Sequence, residues 1–416
     1  PLAGVSGGEW TLIVMLSLVG SAVYAISERV HWPPVGLRMK GVEVFGKAYD
    51  YTVDTVSVPA TGVARVVVEN HYGNARVVAG DGAEVRVSGR KTVRAYGNRE
   101  ADNAARAVNV SASREGDVIF VRSLQDTHAH DHVVTTDLEV VVPASVRVEG
   151  RGRRGDFDIH GVLGAVDIQS DNAGVRLSQI GGEVRVETKA SDVVRASGVK
   201  GSVELRGYGQ DVDLEDVGGA VTVAGNYFGE LQFRNITKSV RFGGGGRGRS
   251  SEFHIASCPG TVRLNRGNLS MEDVAGPVVI NARSKDVQIS GFSEGLELKV
   301  ERGDVELRPG RVPLPPIAAT TNSGNIELVL PEKAAFELRA VAEHGSIHNE
   351  FEGALRLVEG DGGKDRRSVL AGQVGSGPSV TIQTERGDVL VRKGSLLDPP
   401  RPPRPPAPHE LKIERH

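Results

Sequence analysis

Between residues 155 and 310 the chain alternates apolar and polar positions in short bursts that recur at a set interval. In "GDFDIHGVLGAVDIQSDN", Gly155 to Asn172, the phrase GDFDI is echoed nine residues later by GAVDI. Aligning every such unit gives a first series of leading apolar residues at Phe157, Val175, Val194, Val212, Leu231, Phe253, Leu269, Val287 and Val305. A second series interleaves at Val166, Val184, Val203, Val221, Val240, Val262, Val278 and Leu296. The step from first to second series is always nine residues, whereas the return takes 9, 10, 9, 10, 13, 7, 9 and 9. One connection is therefore fixed in length and the other varies.

Side chains at i and i+2 of a strand share a face. Each unit is thus predicted to be a short strand with its apolar pair inward, and two units make one coil of about 18 residues. Only the first series carries a third apolar residue five positions on, at Val162, Ile180, Val199, Val217, Ile236, Cys258, Val274 and Phe292, predicted to fill the corner of the fixed turn. Gly follows two residues later at Gly164, Gly182, Gly201, Gly219, Gly260 and Gly276, where a tight turn is expected to need φ > 0.

A coil cannot bury its own apolar face, but coils stacked at a strand spacing of about 4.8 Å share a continuous core. The expected fold class is all-β: a parallel β-solenoid with about 18 residues per coil, β-rich flanking caps and a single N-terminal transmembrane helix. Outward residues Asp167, Arg185 and Glu204 alternate in sign, so stacked coils are expected to pair charges. The regular array is placed at 155–310, preceded by a β-rich capping region at 61–154 in which "NREADNAARAVNVSASREG" is a loop or short helix. A looser β-repeat region follows at 311–393, where Val380 and Val389 recover the nine-residue spacing, then a Pro-rich tail at 394–416 that reads as polyproline II.

Residues 10–27 form an uncharged stretch, with 28–60 read as a linker. From Trp10 to Ile26 a helix would be about 25 Å long, at the short end for a bilayer. A secretory hydrophobic region is the alternative. Taken by themselves the downstream Arg29, Arg38 and Lys40 argue for a cytoplasmic body, but residues upstream of Pro1 could reverse that count, so charge does not decide orientation.

Composition agrees with many short strands: Gly is high at 53 residues and aromatics are low at 5%. A net charge of -3 with dispersed charges implies no nucleic-acid partner. The single Cys258 excludes an internal disulfide framework and a cysteine-cluster metal site.

Candidate chemistry is sparse. In "QDTHAHDHVV", Asp126, His128, His130 and His132 have period two and would share a strand face, a geometry able to gather imidazoles around a metal; a His-rich surface turn is the competing reading. Asp211, Asp213 and Glu215 form an outward acidic row that would attract calcium, unless it is simply an exposed strand. "GGGGRGR" at 243–249 lacks the Lys-Ser/Thr of a phosphate cradle and reads as a turn of variable length. Arg-Gly-Asp, a tripeptide that some receptors read, starts at Arg154, Arg302 and Arg386, but Gly-Asp also opens coils by consensus. No nucleophilic triad can be assembled, and no cofactor is expected.

The segments "VENHYGNARVVAG", "LEVVVPASVRVEGRGRRGDFDI", "TNSGNIELVLP" and "SVTIQTERGDVLVRK" resemble the bacterial putative-adhesin family of β-strand-repeat envelope proteins, catalogued as a domain of unknown function. The resemblance spans roughly residues 60 to 393, and its motifs are turn glycines plus alternating apolar residues. It implies a β-solenoid of the bacterial cell envelope, often behind a transmembrane segment, without catalytic residues to carry over. The glycine-rich "GGGGRGRSS" departs from the pattern. The expected function is therefore a non-catalytic, membrane-anchored surface binding, adhesin-like or envelope-stress scaffold module, extracytoplasmic, with an envelope protein or polysaccharide as partner. A self-assembling scaffold of the bactofilin kind and a carbohydrate-active β-helix enzyme are the alternatives.

Overall fold

The computed structural model describes residues 38–39, 42–43, 46–125, 133–243, 251–351, 353–359 and 367–395. Alternate strands pair in parallel, so the chain winds between two sheet faces. On the first face Phe157 pairs with Val175, Val175 with Val194, Val194 with Val212 and Val212 with Leu231. On the second, Val148 pairs with Val166, then Val184, Val203, Val221 and Val240 in turn. These offsets of 18 or 19 residues are the coil read from the sequence. The paired valines lie inside at 0–2% exposure, and one apolar core runs unbroken from Val53 to Val391. Burying each such side chain contributes about 1.5–3 kcal/mol.

The fixed corner, where the first face hands over to the second, is tightly constrained. Its apolar fillers Val162, Ile180, Val199, Val217, Ile236, Cys258, Val274 and Phe292 are all buried. The left-handed residue stands immediately before the filler, at Gly161, Gln179, Gly198, Asp216, Asn235, Asp273 and Gly291, with φ between +50° and +76°. This corrects the expectation that the glycine two residues after the filler has positive φ, which holds only at Gly276. Glycine is needed at the other positions for close approach: a Cβ at Gly219 would lie 2.4 Å from the backbone of Gly201, and one at Gly164 would lie 2.1 Å from the Val146 carbonyl oxygen.

The variable corner, leading from second face to first, is bound by side chains. Asp304 N–H donates to Asp286 Oδ1 (2.9 Å), Asn325 N–H to Asp304 Oδ1 (2.7 Å), Asp388 N–H to Asn325 Oδ1 (2.8 Å) and Ser346 N–H to Asp388 Oδ1 (2.7 Å). The same ladder joins Asn74 to Asp137, Asp156 to Asn74 and Gly174 to Asp156 near the N-terminal end.

The stack is mostly, not wholly, parallel. The strand Glu252–Leu264 runs backwards: Phe242 pairs with Phe253 on the second face, and Phe233 pairs with Val262 on the first, both antiparallel. Phe253 and Val262 therefore exchange the faces assigned to them from spacing. A reversed strand keeps its i, i+2 alternation, so periodicity is blind to direction. Only the abnormal returns of 13 and 7 residues mark the place.

At the N-terminal end the coil 65–80 lies between strands of residues 118–143 and the coil 147–160, so stacking starts ahead of 155. The 28–60 linker reading also fails over part of its length. Lys47–Pro59 is a 13-residue strand antiparallel to Glu84–Ala95, because Val53, Val56 and Val58 find an apolar edge to cover. The helix Asn98–Ala107 occupies the segment read as loop or helix and buries Ala101, Ala104 and Ala105 against Val93 and Val134. Lys91 Nζ donates to the carbonyls of Ala105 and Val108 at its C-terminal end.

At the other end, Ile317 pairs with Val380 and Ile326 with Val389, confirming the recovered register, and Phe336–His344 lies on the outer side of that coil. Among the described residues no helix is long and apolar enough to cross a membrane. The expected transmembrane helix at 10–27 and the Pro-rich tail beyond Ser395 lie outside the described residues.

Candidate functional site

The reversal opens the wall of the stack. In a regular coil the chain crosses the variable corner once per level, as at 227–230 and 284–286. The strand Val240–Gly243 reaches this corner and the next described strand starts back from it at Glu252 on the same face. On the first face, Leu264 turns through Asn265–Gly267 into Asn268, again without crossing. Among the described residues two successive crossings are therefore missing, and the gap spans three strand spacings, about 14 Å.

A cavity of about 510 Å³ occupies this window. Its floor is core: Leu231, Phe242 and Leu264, each buried. The lower rim is Asn226, Tyr227 and Phe228, the last 53% exposed. Gly209, one coil below, makes space for the Tyr227 ring, since a Cβ there would meet Tyr227 Cε1 at 3.0 Å. Burial pushes the Tyr227 phenol up to about 12, so it remains a neutral hydrogen-bonding group. The other sides are Ser251, Asn265, Arg266, Arg283, Ser284 and Lys285.

Lys285 Nζ donates to the carbonyls of Asn265 and Arg266, which fixes the hairpin, and burial lowers its pKa. Arg266 Nε donates to the Phe228 carbonyl (3.3 Å), tying hairpin to lower rim. Arg283 pairs with Glu301 at 3.1 Å. No carboxylate is among the described lining residues. The arrangement combines an apolar floor, an exposed ring, amides, hydroxyls and cations. It suits binding; a pair of acids flanking a scissile bond is not built into it.

A second groove of about 760 Å³ lies over the Asx ladder and includes Asp286, Asp304, Glu306, Glu327 and Asp388. These five acids are already engaged by the backbone ladder, by Arg308 on Glu306 (2.6 Å) and by Arg392 on Glu327 (3.1 Å), while Glu230 also lines the groove. It is structural by that measure, and the window is the stronger candidate.

Of the sites read from sequence, Asp126, His128, His130 and His132 lie outside the described residues, as does 244–250 of the glycine-rich stretch. Among the described residues no group of three or more His, Cys, Asp or Glu is placed to hold a metal ion. Asp211, Asp213 and Glu215 are spent on neighbouring coils. Asp211 Oδ1 accepts from Glu230 N–H (2.8 Å), Asp213 pairs with Arg195 and Arg234 (3.3 Å each), and Glu215 pairs with Arg234 (3.0 Å).

The expected outward charge pairing takes the same form in Arg147–Asp167 (3.2 Å) and Arg185–Glu204 (3.1 Å). The three Arg-Gly-Asp copies have a backbone cause. Gly155, Gly303 and Gly387 have φ of +134°, +136° and +144° with no room for a Cβ, and the Asp that follows each supplies the ladder. Cys258, pushed up to about 12 by burial, is a corner filler. The window itself was missed by sequence reading; its signal was the disordered return spacing beside the rare cluster Tyr227-Phe228.

The model of the Toastrack DUF4097 family matches residues 55–392. None of the curated proteins matches the chain. Among solved structures, a putative cell adhesion protein from Clostridium sporogenes is 9% identical, covering 84% of this chain and 100% of its own, with a TM-score of 0.17. A putative adhesin from Bacteroides fragilis is 12% identical over 84% of this chain and 96% of its own (TM-score 0.19). A putative adhesin from Parabacteroides distasonis is 10% identical over 84% and 98% (TM-score 0.19).

Proposed function

We propose that this chain, which belongs to the Toastrack DUF4097 family, is a non-catalytic binding module of the bacterial cell envelope that takes its ligand at the window in the variable corner. The observation carrying this reading is the conjunction, at the one reversed strand described within the 155–310 array, of an opened core, an exposed Phe228 and a described lining without carboxylates. Deviations from a repeat that otherwise satisfies itself are where function is expected. The uncharged stretch at 10–27 supports tethering to the membrane, and the extracytoplasmic side proposed for the coil stack follows the resemblance to envelope proteins, not the flanking charges.

The test uses the full chain in detergent and its Phe228→Ala variant, immobilised and exposed to separated envelope protein and polysaccharide fractions. One fraction is expected to be retained by the native chain and released by the variant, with no shortening of retained polysaccharide. Equal retention by both proteins would remove the window from the reading, and progressive release of new reducing ends would replace binding by catalysis. Membrane fractionation of cells expressing the chain with and without residues 10–27 tests the tether; persistence in the membrane without them would refute it.

A further inference from the structure

We infer that the ligand of the window is an acidic glycan, a polysaccharide whose sugar rings carry carboxylate groups; this rests on the binding-module reading and names its ligand class.

Three features of the window converge. Phe228 offers a ring more than half exposed beside the half-buried Tyr227, above a floor of core side chains. The flat CH face of a pyranose lies on such a ring, a contact that requires no charge. Asn226, Ser251, Asn265 and Ser284 then surround the ring with amides and hydroxyls, each able both to donate and to accept, as a sugar hydroxyl also does. A cavity near 510 Å³ is within the usual size of small-ligand sites, and the exposed Phe228 on its rim can be reached by a sugar ring from solvent.

Charge selects among glycans. Many outward arginines of this chain are matched by acids on adjoining coils, as in Arg195–Asp213, Arg234–Glu215 and Arg392–Glu327. The described lining of the window gathers Arg266, Arg283 and Lys285 and includes no carboxylate. Arg266 uses Nε on the Phe228 carbonyl and has no carboxylate partner among the described residues, which leaves the outer edge of its guanidinium for a ligand. Arg283 also lines the cavity, and Glu301 is its one ion-pair partner among the described residues. Lys285 acts as a positioning residue, holding the Asn265–Arg266 backbone that aims Arg266. A guanidinium edge matches a carboxylate with two parallel hydrogen bonds. A nucleic acid would use the same ring and cations, but it also needs a basic track for its phosphates, and the chain as a whole carries a net charge of -3.

The experiment measures binding of the full chain to polygalacturonate and to the same polymer fully methyl-esterified, which keeps the rings and removes the charge, with single-stranded DNA as a third probe. The acid form is expected to bind best. Arg266→Ala is expected to weaken binding of the acid form roughly tenfold or more and to abolish its preference over the ester. Phe228→Ala should weaken both polymers alike, and Arg195→Ala, at an ion pair elsewhere on the stack, should change neither. All three side chains are largely exposed, and an unchanged urea midpoint checks that each variant is folded.

Equal binding of acid and ester, no binding of either, insensitivity to Arg266→Ala, or tighter binding of DNA would each overturn the acidic-glycan assignment. None of those outcomes would touch the window reading if Phe228→Ala still releases the envelope fraction. The window reading fails separately, when that release does not occur.

Discussion

If Glu252–Leu264 runs backwards, a cysteine pair placed at Arg241 and His254 must form a disulfide. The two residues face each other across an antiparallel ladder on the outward side of the second face. Cα atoms of such partners are about 4.5–5.5 Å apart, inside the range a disulfide bridges without backbone movement. The loop it closes is about 14 residues, for which the chain-entropy relation gives about 3 kcal/mol of stabilisation.

A parallel continuation would instead set residue 263 beside 241, as the nine-residue spacing suggests, whereas the reversed threading puts Arg263 on the opposite face, paired with Gln232. The assay oxidises R241C/H254C and R241C/R263C under native conditions, maps the linked peptides and compares urea midpoints of oxidised and reduced protein. Complete linkage of 241 to 254, with a higher midpoint, is expected. Free thiols there together with ready linkage of 241 to 263 would refute the reversal and close the window.

Three further outcomes follow from the packing. Gly219→Ala forces a Cβ to within 2.4 Å of the Gly201 backbone and should cost about 1–3 kcal/mol by urea unfolding, while Gly243→Ala, with nothing within 4 Å, should change stability little. Cys258, buried and with its thiol pushed up to about 12, should resist iodoacetamide at pH 8 in the folded chain and react at the rate of unfolding; rapid native labelling would contradict its place in the corner. Hydrogen bonds from Ser346 N–H and its hydroxyl hold the Asp388 carboxyl below the usual range. Its contribution is therefore complete above about pH 4 and is lost as pH falls through the lowered value. Asp388→Asn, which keeps an acceptor in the ladder, should flatten that acid limb in a pH series of urea midpoints.

The coil was legible because inward valines at i and i+2 repeat with a constant step, a signal that depends only on which side chains are apolar. The corner filler was legible for the same reason, down to Cys258. Strand direction was not, since Phe253 and Val262 satisfy the alternation in either sense. The left-handed residue was misplaced because glycine serves two ends here: relief of positive φ at Gly161 and Gly198, and close backbone approach at Gly164 and Gly219. Asp216, Asn235 and Asp273 take the first role without being glycine, which hides the pattern. The Asx ladder hid inside Arg-Gly-Asp, where a tripeptide invites a recognition reading although its Asp already accepts the next coil's N–H. Tyr227 and Phe228 carried no periodic signal, and only the fold brings Arg266 and Arg283 to them.

The contrast between the two corners gives the molecule a spine and an open margin. Along the spine from Phe157 to Leu296 a constant count of residues, crowded glycines and buried fillers leave little slack, so an added residue there would have to bulge out or push the next strand off its face. Along the margin the count already varies, and one excursion reversed the path without breaking the core. New loops, epitopes or binding segments are therefore best grafted at that margin, one per storey, and related chains can diversify there while keeping the same trunk.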